Sequence, residues 1–500
     1  MPIRPETLQL LKEGGLFLTS DALEILDCCP ETLVDEIIKG AVIIAKQTRI
    51  SFIDKMIVEM VLNELQKDLP IETPTEPAAP APEGVLPIFE VPNVPSKIQL
   101  TTQQTQIAEK PLEGYIEYFR NRYTKINRIF AERGFPHIQI ARLATLPERE
   151  QANIVGMVRE KREIREKIFI DVEDLSGSIS LMVPQSADAK LKEAARLLVE
   201  DVVCAFTVKK MSVNIVQDII FPEIPFSQQR GGEEEVYAVL TSDMHFGSKS
   251  LVHSLLAKFE KWLKGELGNA KQREIASKTK YMVLAGDLAE GIGVYPEQLK
   301  DLEIVSIQEQ YETAANYLER LPQHIEIVIS PGNHDATQQA LPQPFPSVQV
   351  APKLYNNPRI HLIPNPCMIS LHGIRILVYH GQAIEDIAQK IAGIKITEPV
   401  KAMEYMLKVR HLAPVYGGKT PIAPQIEDNL VIQEVPQILV VGHIHVFGRG
   451  NYRGTVLIGS GAWQKQTEYQ VRLGIIPTPG IVAVVNLKTL EVTPLDLNII

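Results

Sequence analysis

Residues 281–290 read YMVLAGDLAE and residues 325–335 read IEIVISPGNHD, two short apolar runs that each end in a polar turn. The same pattern recurs in VYAVLTSDMHFG (236–247), IRILVYHG (374–381) and QILVVGHIH (437–445). Short apolar runs bounded by Gly, Asp and Asn are typical of strands that are buried on both faces. With TVLIG (455–459), they predict an α/β sandwich over residues 233–500.

The polar residues that follow these runs form a set of candidate ligands and catalytic groups. They are Asp243, His245, Asp287, Asn333, His334, Asp335, His380, His443 and His445. Taken singly, each is more often a turn residue or a hydrogen-bonded structural residue. Because ligands collect at the carboxyl ends of strands in an open α/β sheet, we expect the whole set to meet at one edge. Carboxylate, imidazole and amide donors without a thiolate favour Mn, Fe or Zn over a purely oxygen-lined Ca or Mg cage, so the sequence predicts a metal centre.

The composition is that of a globular protein of several domains. The chain has 500 residues, 45% hydrophobic and 22% charged, and we expect about two to four domains. Its formal net charge of −10 disfavours a general basic surface for nucleic acid. Cysteines at 28, 29, 204 and 367 form no CxxC pair, which favours a reducing compartment. With no apolar run of ~18 residues and no signal-peptide pattern, we expect a cytoplasmic protein without a membrane partner.

Composition and periodicity divide the chain before the sandwich into four segments. Residues 1–67 are predicted to form a small helical N-terminal domain, with one helix ending at Gly40. Residues 68–108 include a proline-rich stretch and are predicted to be a flexible linker. A helical lead-in (109–148) precedes three strands, a helix and two strands (149–228), which is the order of an OB-fold barrel. The predicted fold class is therefore a multidomain α/β protein.

The ordered motifs DMH, GDLAE, GNHD, the strand-end His380 and GHIH resemble the calcineurin-like metallophosphoesterase family, including its recombination-repair nuclease branch. The resemblance covers roughly residues 235–465 and implies two divalent metal ions, Mn²⁺ in the first place and Fe, Zn or Mg as alternatives. It implies as ligands Asp243, His245 and His445 for one ion, Asn333, His380 and His443 for the other, and Asp287 for both. It also implies that His334 protonates the leaving oxygen and that Asp335 orients His334.

A second resemblance covers the whole chain and is weakest over residues 1–110. The strings GDLAEGIGVYPEQ, PGNHDATQQALPQP, HLAPVYGGKTPIAP and WQKQTEYQ are similar to the small subunits of archaeal family D DNA polymerases, in the polymerase B-subunit superfamily. This resemblance implies a 3′→5′ exonuclease that proofreads for a large catalytic subunit and acts on single-stranded or primer-template DNA. A sliding clamp is a further candidate partner. Two alternatives stay open: a non-catalytic scaffold for the large subunit, and a metal-dependent phosphatase.

The segment between His380 and His443 carries candidate contacts to DNA. Positive charge near the predicted site comes from Lys401, Lys408, Arg410, His411 and Lys419, which would contact backbone phosphates without reading sequence. The alternative is a helix with a solvated charged face. Tyr416 and Trp463 are candidates for stacking on bases, although Trp463 is better explained as a core residue.

Overall fold

The computed structural model describes residues 17–18, 26, 31–48, 52–53, 57–58, 61, 91, 94–101, 110–227 and 230–500. The chain divides into two compact units, Met1–Pro87 and Ile88–Ile500. Among the described residues, no helix is both long and apolar enough to cross a bilayer. Cys28 and Cys29 lie outside the described residues, whereas Cys204 and Cys367 are buried free thiols.

The first unit contains one long helix beside a short parallel strand pair. Helix α1 spans Glu31–Thr48, and strands β1 (Phe17–Leu18) and β2 (Phe52–Ile53) pair in parallel. The helix passes through Gly40, so the predicted stop at that residue is wrong. A Cβ atom at Gly40 would collide with the side chain of Val61, which shows that the glycine here allows close packing. Of the rest of the predicted helical domain, the described residues are Leu26, Ile57, Val58 and Val61, which pack in one hydrophobic cluster with side chains of the helix.

The end of the predicted linker 68–108 contains an ordered strand. Strand β3 (Ile98–Leu100) pairs antiparallel with residues 369–371, and the Thr101 amide donates to the carbonyl of Met368 at 3.2 Å. Prolines are absent from this short run, so its amides are free to join a sheet edge. The prediction of a flexible linker is therefore wrong for residues 98–100.

A closed five-stranded barrel follows a helical lead-in. Helices α2 (Pro111–Glu132) and α3 (Ile140–Thr145) precede strands β4 (Gln151–Ile164), β5 (Lys167–Asp174), β6 (Gly177–Val183), helix α4 (Ala189–Arg196), β7 (Val203–Lys209) and β8 (Asn214–Ile220). The strands close in the order β4-β5-β6-β8-β7. Three strands, a helix and two strands are what the sequence predicts for this region.

Two six-stranded sheets form the remainder of the second unit. The first sheet contains β9 (Tyr237–Thr241), β10 (Thr279–Ala285), β11 (Glu326–Ser330), β12 (Ile360–Leu362), β18 (Ile481–Asn486) and β19 (Val492–Asp496), in the order β12-β11-β10-β9-β18-β19. The second contains β3, β13 (Cys367–Leu371), β14 (Ile374–Val378), β15 (Ile438–Val441), β16 (Gly448–Tyr452) and β17 (Thr455–Gly459), in the order β16-β17-β15-β14-β13-β3. Each sheet contains a run of parallel strands, β12-β11-β10-β9 in one and β14-β15-β17 in the other.

Helices cover the outer faces of this sandwich. They are α5 (His253–Leu263), α6 (Ala270–Ser277), α7 (Ile307–Arg320), α8 (Pro352–Asn356), α9 (Ile384–Lys390), α10 (Pro399–Val409) and α11 (Glu468–Leu473). Side chains of one strand alternate between two cores: Val239 packs in a cluster with Trp262 of α5, and Leu240 packs between the sheets with Ile376. Burial on both faces explains why the strands read as continuous apolar runs.

A buried ion pair connects helix α2 to the sandwich. Arg122 Nε lies 2.7 Å from Asp428 Oδ2, and both side chains are almost fully excluded from solvent. Arg122 also donates to the carbonyl of Asp201 and to the Tyr118 hydroxyl, at 3.2 Å each. His411 Nε2 lies 2.9 Å from the same Asp428 oxygen. One carboxylate therefore holds together the lead-in helix and the segment that follows α10.

Candidate metal centre

The predicted ligands meet at the carboxyl ends of strands β9, β10, β14 and β15 and in the loop after β11. Among the described residues, three groups of ligand atoms lie close enough together to hold a metal ion, and two of them, His245-Asp287-His334 and Asp287-His380-His443, share the carboxylate of Asp287. Parallel strands end at the same edge of a sheet, so residues far apart in sequence come together. The structure therefore brings together the residues that the sequence singles out.

The first group consists of Asp243, His245 and His445, whose ligand atoms lie within 4.8 Å of one another. His445 Nε2 lies 3.4 Å from Asp243 Oδ1 and 3.1 Å from His245 Nε2. Two ring nitrogens this close, facing a carboxylate, form a donor set that suits a cation of moderate hardness. His445 Nδ1 lies 2.9 Å from the side-chain amide of Gln470, which orients the ring.

The second group consists of Asp287, His380 and His443, with Asn333 beside them. His380 Nε2 lies 3.2 Å from Asp287 Oδ2 and 3.0 Å from Asn333 Oδ1. His380 Nδ1 lies 3.0 Å from the carbonyl of Ala285, so Nδ1 carries the hydrogen of the neutral ring and Nε2 is the atom that would bind a cation. Asp287 Oδ2 is also 3.7 Å from His245 Nε2, which puts this carboxylate between the two groups.

The backbone is strained where it presents these side chains. The φ angles of Asp243, His245, Asp287, His443 and His445 all lie between 50° and 70°. Residues other than glycine rarely adopt this region, and such strain persists where the surrounding structure enforces it. The concentration of strain at the predicted ligands is independent support for a functional site.

Opposite charges within the site shift the pKa values of its members. Burial alone would raise the pKa of Asp287, but the charges of His380 and His334 hold it well below its ordinary value. Burial alone would lower the pKa of His380, but Asp287 raises it to about 9. Burial opposes ionisation of His245 in the same way, and Glu290 raises the pKa of His245 to about 9. Positive charge is therefore favoured among these carboxylates, and a divalent cation would supply it in place of protons.

Glu290 belongs to the site although no role for it follows from the sequence. Its Oε2 lies 2.9 Å from His245 Nδ1 and accepts from the Gln464 side chain at 2.8 Å. Burial would raise the pKa of Glu290, but His245 lowers it to about 2. The contact fixes which ring nitrogen of His245 faces Asp243 and Asp287. Its position within the GDLAE motif was the feature of the sequence that could have identified Glu290 as a site residue.

His334 is present at the site, but its predicted partner is wrong. His334 Nδ1 lies 2.8 Å from the carbonyl oxygen of Glu290. Asp335, predicted to orient His334, instead accepts backbone N–H groups of Leu288, Ala289 and Gly332 and the hydroxyl of Tyr311. Asp335 therefore ties together the loops after β10 and β11, which positions the ligands through the backbone.

Two of the predicted DNA contacts are buried. Arg410 and His411 are 4% and 3% exposed, and His411 is hydrogen-bonded to Asp428, so neither presents charge to a strand. The prediction is wrong for both because the segment after α10 packs against helix α2. Lys408 lies over the Phe221 ring at 5.0 Å, and Lys401 pairs with Glu398 at 2.5 Å.

The two aromatic candidates for base stacking differ in their exposure to solvent. Trp463 is fully buried and donates to the Thr241 hydroxyl at 3.0 Å, which confirms its core position. Tyr416 is 41% exposed and packs edge-on against the rings of Tyr115 and Phe119. Tyr416 therefore keeps one face open to solvent.

Divalent metal should stabilise the folded chain measurably. A ligand that binds the native state alone stabilises it by about 2.7 kcal/mol at a hundredfold excess over Kd, and the clustered donors exist only in the folded protein. We expect Mn²⁺ to raise the Tm of the metal-free chain and EDTA to reverse the rise, measured by differential scanning calorimetry. A Tm that is indifferent to Mn²⁺, Zn²⁺ and Fe²⁺ would contradict the metal assignment.

Comparison with known proteins places this site in a family context. Residues 238–449 match the model of a family described as the B subunit of DNA polymerases alpha and epsilon. The DNA polymerase II small subunit of Archaeoglobus fulgidus is 42% identical over 374 residues, 75% of this chain and 75% of the relative. The protein of the same name from Pyrococcus furiosus is 38% identical over 416 residues, 81% of this chain and 67% of the relative.

Among solved structures, the similar chains share little sequence identity with this one. A structure described as "Structural and Functional Characterization of a Novel Archaeal Phosphodiesterase" is 12% identical, with 52% of this chain and 99% of that chain covered. Its TM-score is 0.27, and a score this low carries no argument about function.

Proposed function

The chain belongs to the family of archaeal DNA polymerase II small subunits, and on that premise we propose that it is the proofreading subunit of the polymerase, a two-metal phosphodiesterase that digests DNA 3′→5′. The observation that supports this proposal is the cluster of carboxylate, imidazole and amide ligand atoms around Asp287, which is itself buried. A subunit with a purely structural role would have no need to keep strained ligand residues after β9, β10 and β15. We expect the chain to act in the archaeal cytoplasm with the large catalytic subunit as partner.

The two metal ions of the proposal would be held by the two donor groups. Asp243, His245 and His445 would bind one ion, Asn333, His380 and His443 the other, and Asp287 both. When bound, the ions would polarise the attacking water and neutralise the phosphate oxygens. We propose Mn²⁺ in the first place, since imidazole with carboxylate is a donor mixture of intermediate softness.

A side chain of the protein itself would donate the proton that the leaving oxygen needs. The Glu290 carbonyl can only accept a hydrogen bond, so His334 Nδ1 carries a hydrogen and Nε2 is the atom that exchanges a proton. The His334 side chain is 18% exposed, and its ring lies 4.7 Å from that of His245. His334 is therefore the group in this cleft that can donate to a departing 3′ oxygen, the role of a general acid.

We also propose the domain assignments that the chain's topology supports. The barrel has the strand order and the intervening helix of an OB-fold, and we assign it to that class. The sandwich at 233–500, with ligands at its strand ends, is assigned to the calcineurin-like phosphoesterases. The two share a hydrophobic cluster that includes Phe206 of β7 and Leu439 of β15, so we expect them to unfold together.

Replacement of His334 should remove proton donation to the leaving oxygen while keeping all the proposed metal ligands. Because a p-nitrophenolate leaves without protonation whereas a nucleotide 3′ oxygen does not, His334→Gln should lower oligonucleotide turnover by about 10²–10⁴-fold and spare bis(p-nitrophenyl) phosphate. Steady-state rates on the two substrates, with equal Mn²⁺, make the comparison. Equal losses on both substrates would remove the acid role from His334.

The phosphatase alternative is tested by substrate class. The purified chain with Mn²⁺ should hydrolyse bis(p-nitrophenyl) phosphate, a diester, and leave p-nitrophenyl phosphate, a monoester, largely intact; EDTA should stop the reaction. Strong turnover of the monoester with none of a diester would replace the nuclease proposal with a phosphatase. Failure to hydrolyse either substrate, in a chain that still co-purifies with the large subunit, would leave the scaffold role.

A further inference from the structure

A lysine that stands beside the metal centre is held there by two adjacent acids. Lys419 Nζ lies 2.7 Å from Glu385 Oε2, and Glu385 Oε1 lies 3.4 Å from His443 Nε2. A single carboxylate thus separates the ammonium group from a predicted metal ligand. Glu385 lies in the first turn of helix α9, a few residues after His380 and Gly381. The position of Glu385, the partner of Lys419, is therefore set by the same strand end that carries His380.

The backbone of this segment is anchored independently of the lysine side chain. Asp386, which is 2% exposed, accepts the amides of Lys419 and Thr420 at 2.7 and 2.9 Å. A Cβ atom at Gly418 would collide with the Asp386 carboxylate, so a glycine is needed for this close approach. The Lys419 side chain therefore projects from a fixed backbone, which lowers the entropy cost of holding it beside the site.

The lysine is nonetheless open to solvent and keeps its charge. Its side chain is 51% exposed while Glu385 is 7% exposed. The hydrogen bond from Lys419 to Glu385 raises the pKa of Lys419, so the group is cationic at neutral pH. Tyr469, 52% exposed, points its hydroxyl at both oxygens of Glu385 at 3.3 Å, so Glu385 has a second partner when the ammonium group turns outward.

The surroundings of Lys419 favour an anionic ligand. Asp243, Asp287, Glu290 and Glu385 concentrate negative charge at the strand ends, and metal ions would offset it only at the scissile phosphate. A strand that enters the cleft brings further phosphates that the ions do not reach. An exposed ammonium group at the rim provides a contact for one of them.

We propose that Lys419 binds the phosphate next to the scissile one and so selects a polynucleotide strand over small phosphate esters. The inference rests on the proposed function and deepens it by naming the feature of the substrate that is recognised. A strand of three or more nucleotides has the second phosphate; bis(p-nitrophenyl) phosphate and a phosphomonoester do not. Lys419 is thus a specificity residue that acts in substrate binding rather than in the chemical step.

Lys419→Met, which keeps the aliphatic stem and removes the charge, tests this role. Loss of one charge-assisted contact should raise KM for a single-stranded oligonucleotide about tenfold, with kcat little changed. The slope of log affinity against log salt should fall by about 0.7, the value of one single-strand phosphate contact. Hydrolysis of bis(p-nitrophenyl) phosphate should stay at the wild-type rate, and Lys419→Arg should restore oligonucleotide KM.

Lys278→Met is the matched control. Lys278 pairs with Glu274 at 2.8 Å and precedes β10, at the opposite end of the strand from Asp287, so the variant removes the same charge far from the site. It should leave both substrates unaffected. If Lys419→Met behaves like Lys278→Met on the oligonucleotide, or lowers turnover of both substrates alike as loss of a structural ion pair would, the inference is overturned. If the wild type fails on the small diester, the proposed function itself fails.

Discussion

Asp287→Asn should reduce hydrolysis of DNA by at least about 10³-fold, which corresponds to several kcal/mol of lost transition-state stabilisation. Asp287 lies between the two donor groups, with Oδ2 at 3.2 Å from His380 Nε2 and 3.7 Å from His245 Nε2. Asparagine keeps the volume and the oxygen that accepts the His334 amide at 2.8 Å, so the loop should stay in place. The variant removes the charge that both ions would need.

Rates on a labelled oligonucleotide, with Tm and circular dichroism to verify folding, measure this effect. Asp218→Asn is a suitable control, because Asp218 is an exposed barrel residue that bonds the neighbouring Ile219 amide. Co-purification with the large subunit should be equal in both variants, which would separate catalysis from assembly. Wild-type digestion by Asp287→Asn would show that the cluster does not perform the reaction.

Arg122→Ala should lower the free energy of unfolding by about 3–5 kcal/mol, because it leaves the Asp428 carboxylate buried without its cation. Burial alone would raise the pKa of Asp428, but His411 and Arg122 hold it well below its ordinary value. A depressed carboxyl pKa contributes stability that is present above about pH 4 and is lost as pH falls through the folded-state value. In the variant the Asp428 carboxylate has lost Arg122 and keeps His411 at 2.9 Å. Protonation of the carboxylate relieves the uncompensated charge, so the difference in the free energy of unfolding between variant and wild type should narrow on acidification.

Denaturant unfolding at pH 7 and at pH 4 measures the effect. Arg120→Ala on the same helix is the matched control, since Arg120 pairs with Glu117 on an exposed face at 2.8 Å and such pairs contribute about 0–1 kcal/mol. The double variant Arg122→Ala, Asp428→Asn should recover part of the free energy of unfolding that Arg122→Ala alone loses. A loss no greater than that of Arg120→Ala would mean that the buried pair does not hold α2 to the sandwich.

The clustering of the candidate ligands was predictable because the signal for each residue is local. Each ligand follows an apolar run, and parallel strands deliver their ends to one edge whatever the intervening chain does. That is why Asp243 and Asp287, after β9 and β10 of one sheet, could be placed together without a structure, as could His380 and His443, after β14 and β15 of the other. Glu290 also lay within a motif, yet its contact with His245 Nδ1 at 2.9 Å depends on a ring orientation that no spacing reveals.

The residues whose roles were predicted wrongly are those whose surroundings come from distant segments of the chain. Arg410 and His411 look like surface charges in sequence, but α2, nearly three hundred residues earlier, covers them, and Asp428 satisfies His411. Asp335 stands next to His334 in the chain, yet its carboxylate is directed to backbone amides of another loop. The helix through Gly40 continues for the same kind of reason, because Val61 packs on the glycine.

Digestion of a 5′-labelled single-stranded oligonucleotide by the purified chain is the decisive measurement for the proposed exonuclease. With Mn²⁺ present, we expect a ladder of labelled products that shorten one nucleotide at a time from the 3′ end. EDTA should abolish the ladder, and a blocked 3′ terminus should slow its appearance. Full-length oligonucleotide remaining in the metal-loaded reaction, or release of labelled mononucleotide at the outset, would contradict a 3′→5′ exonuclease.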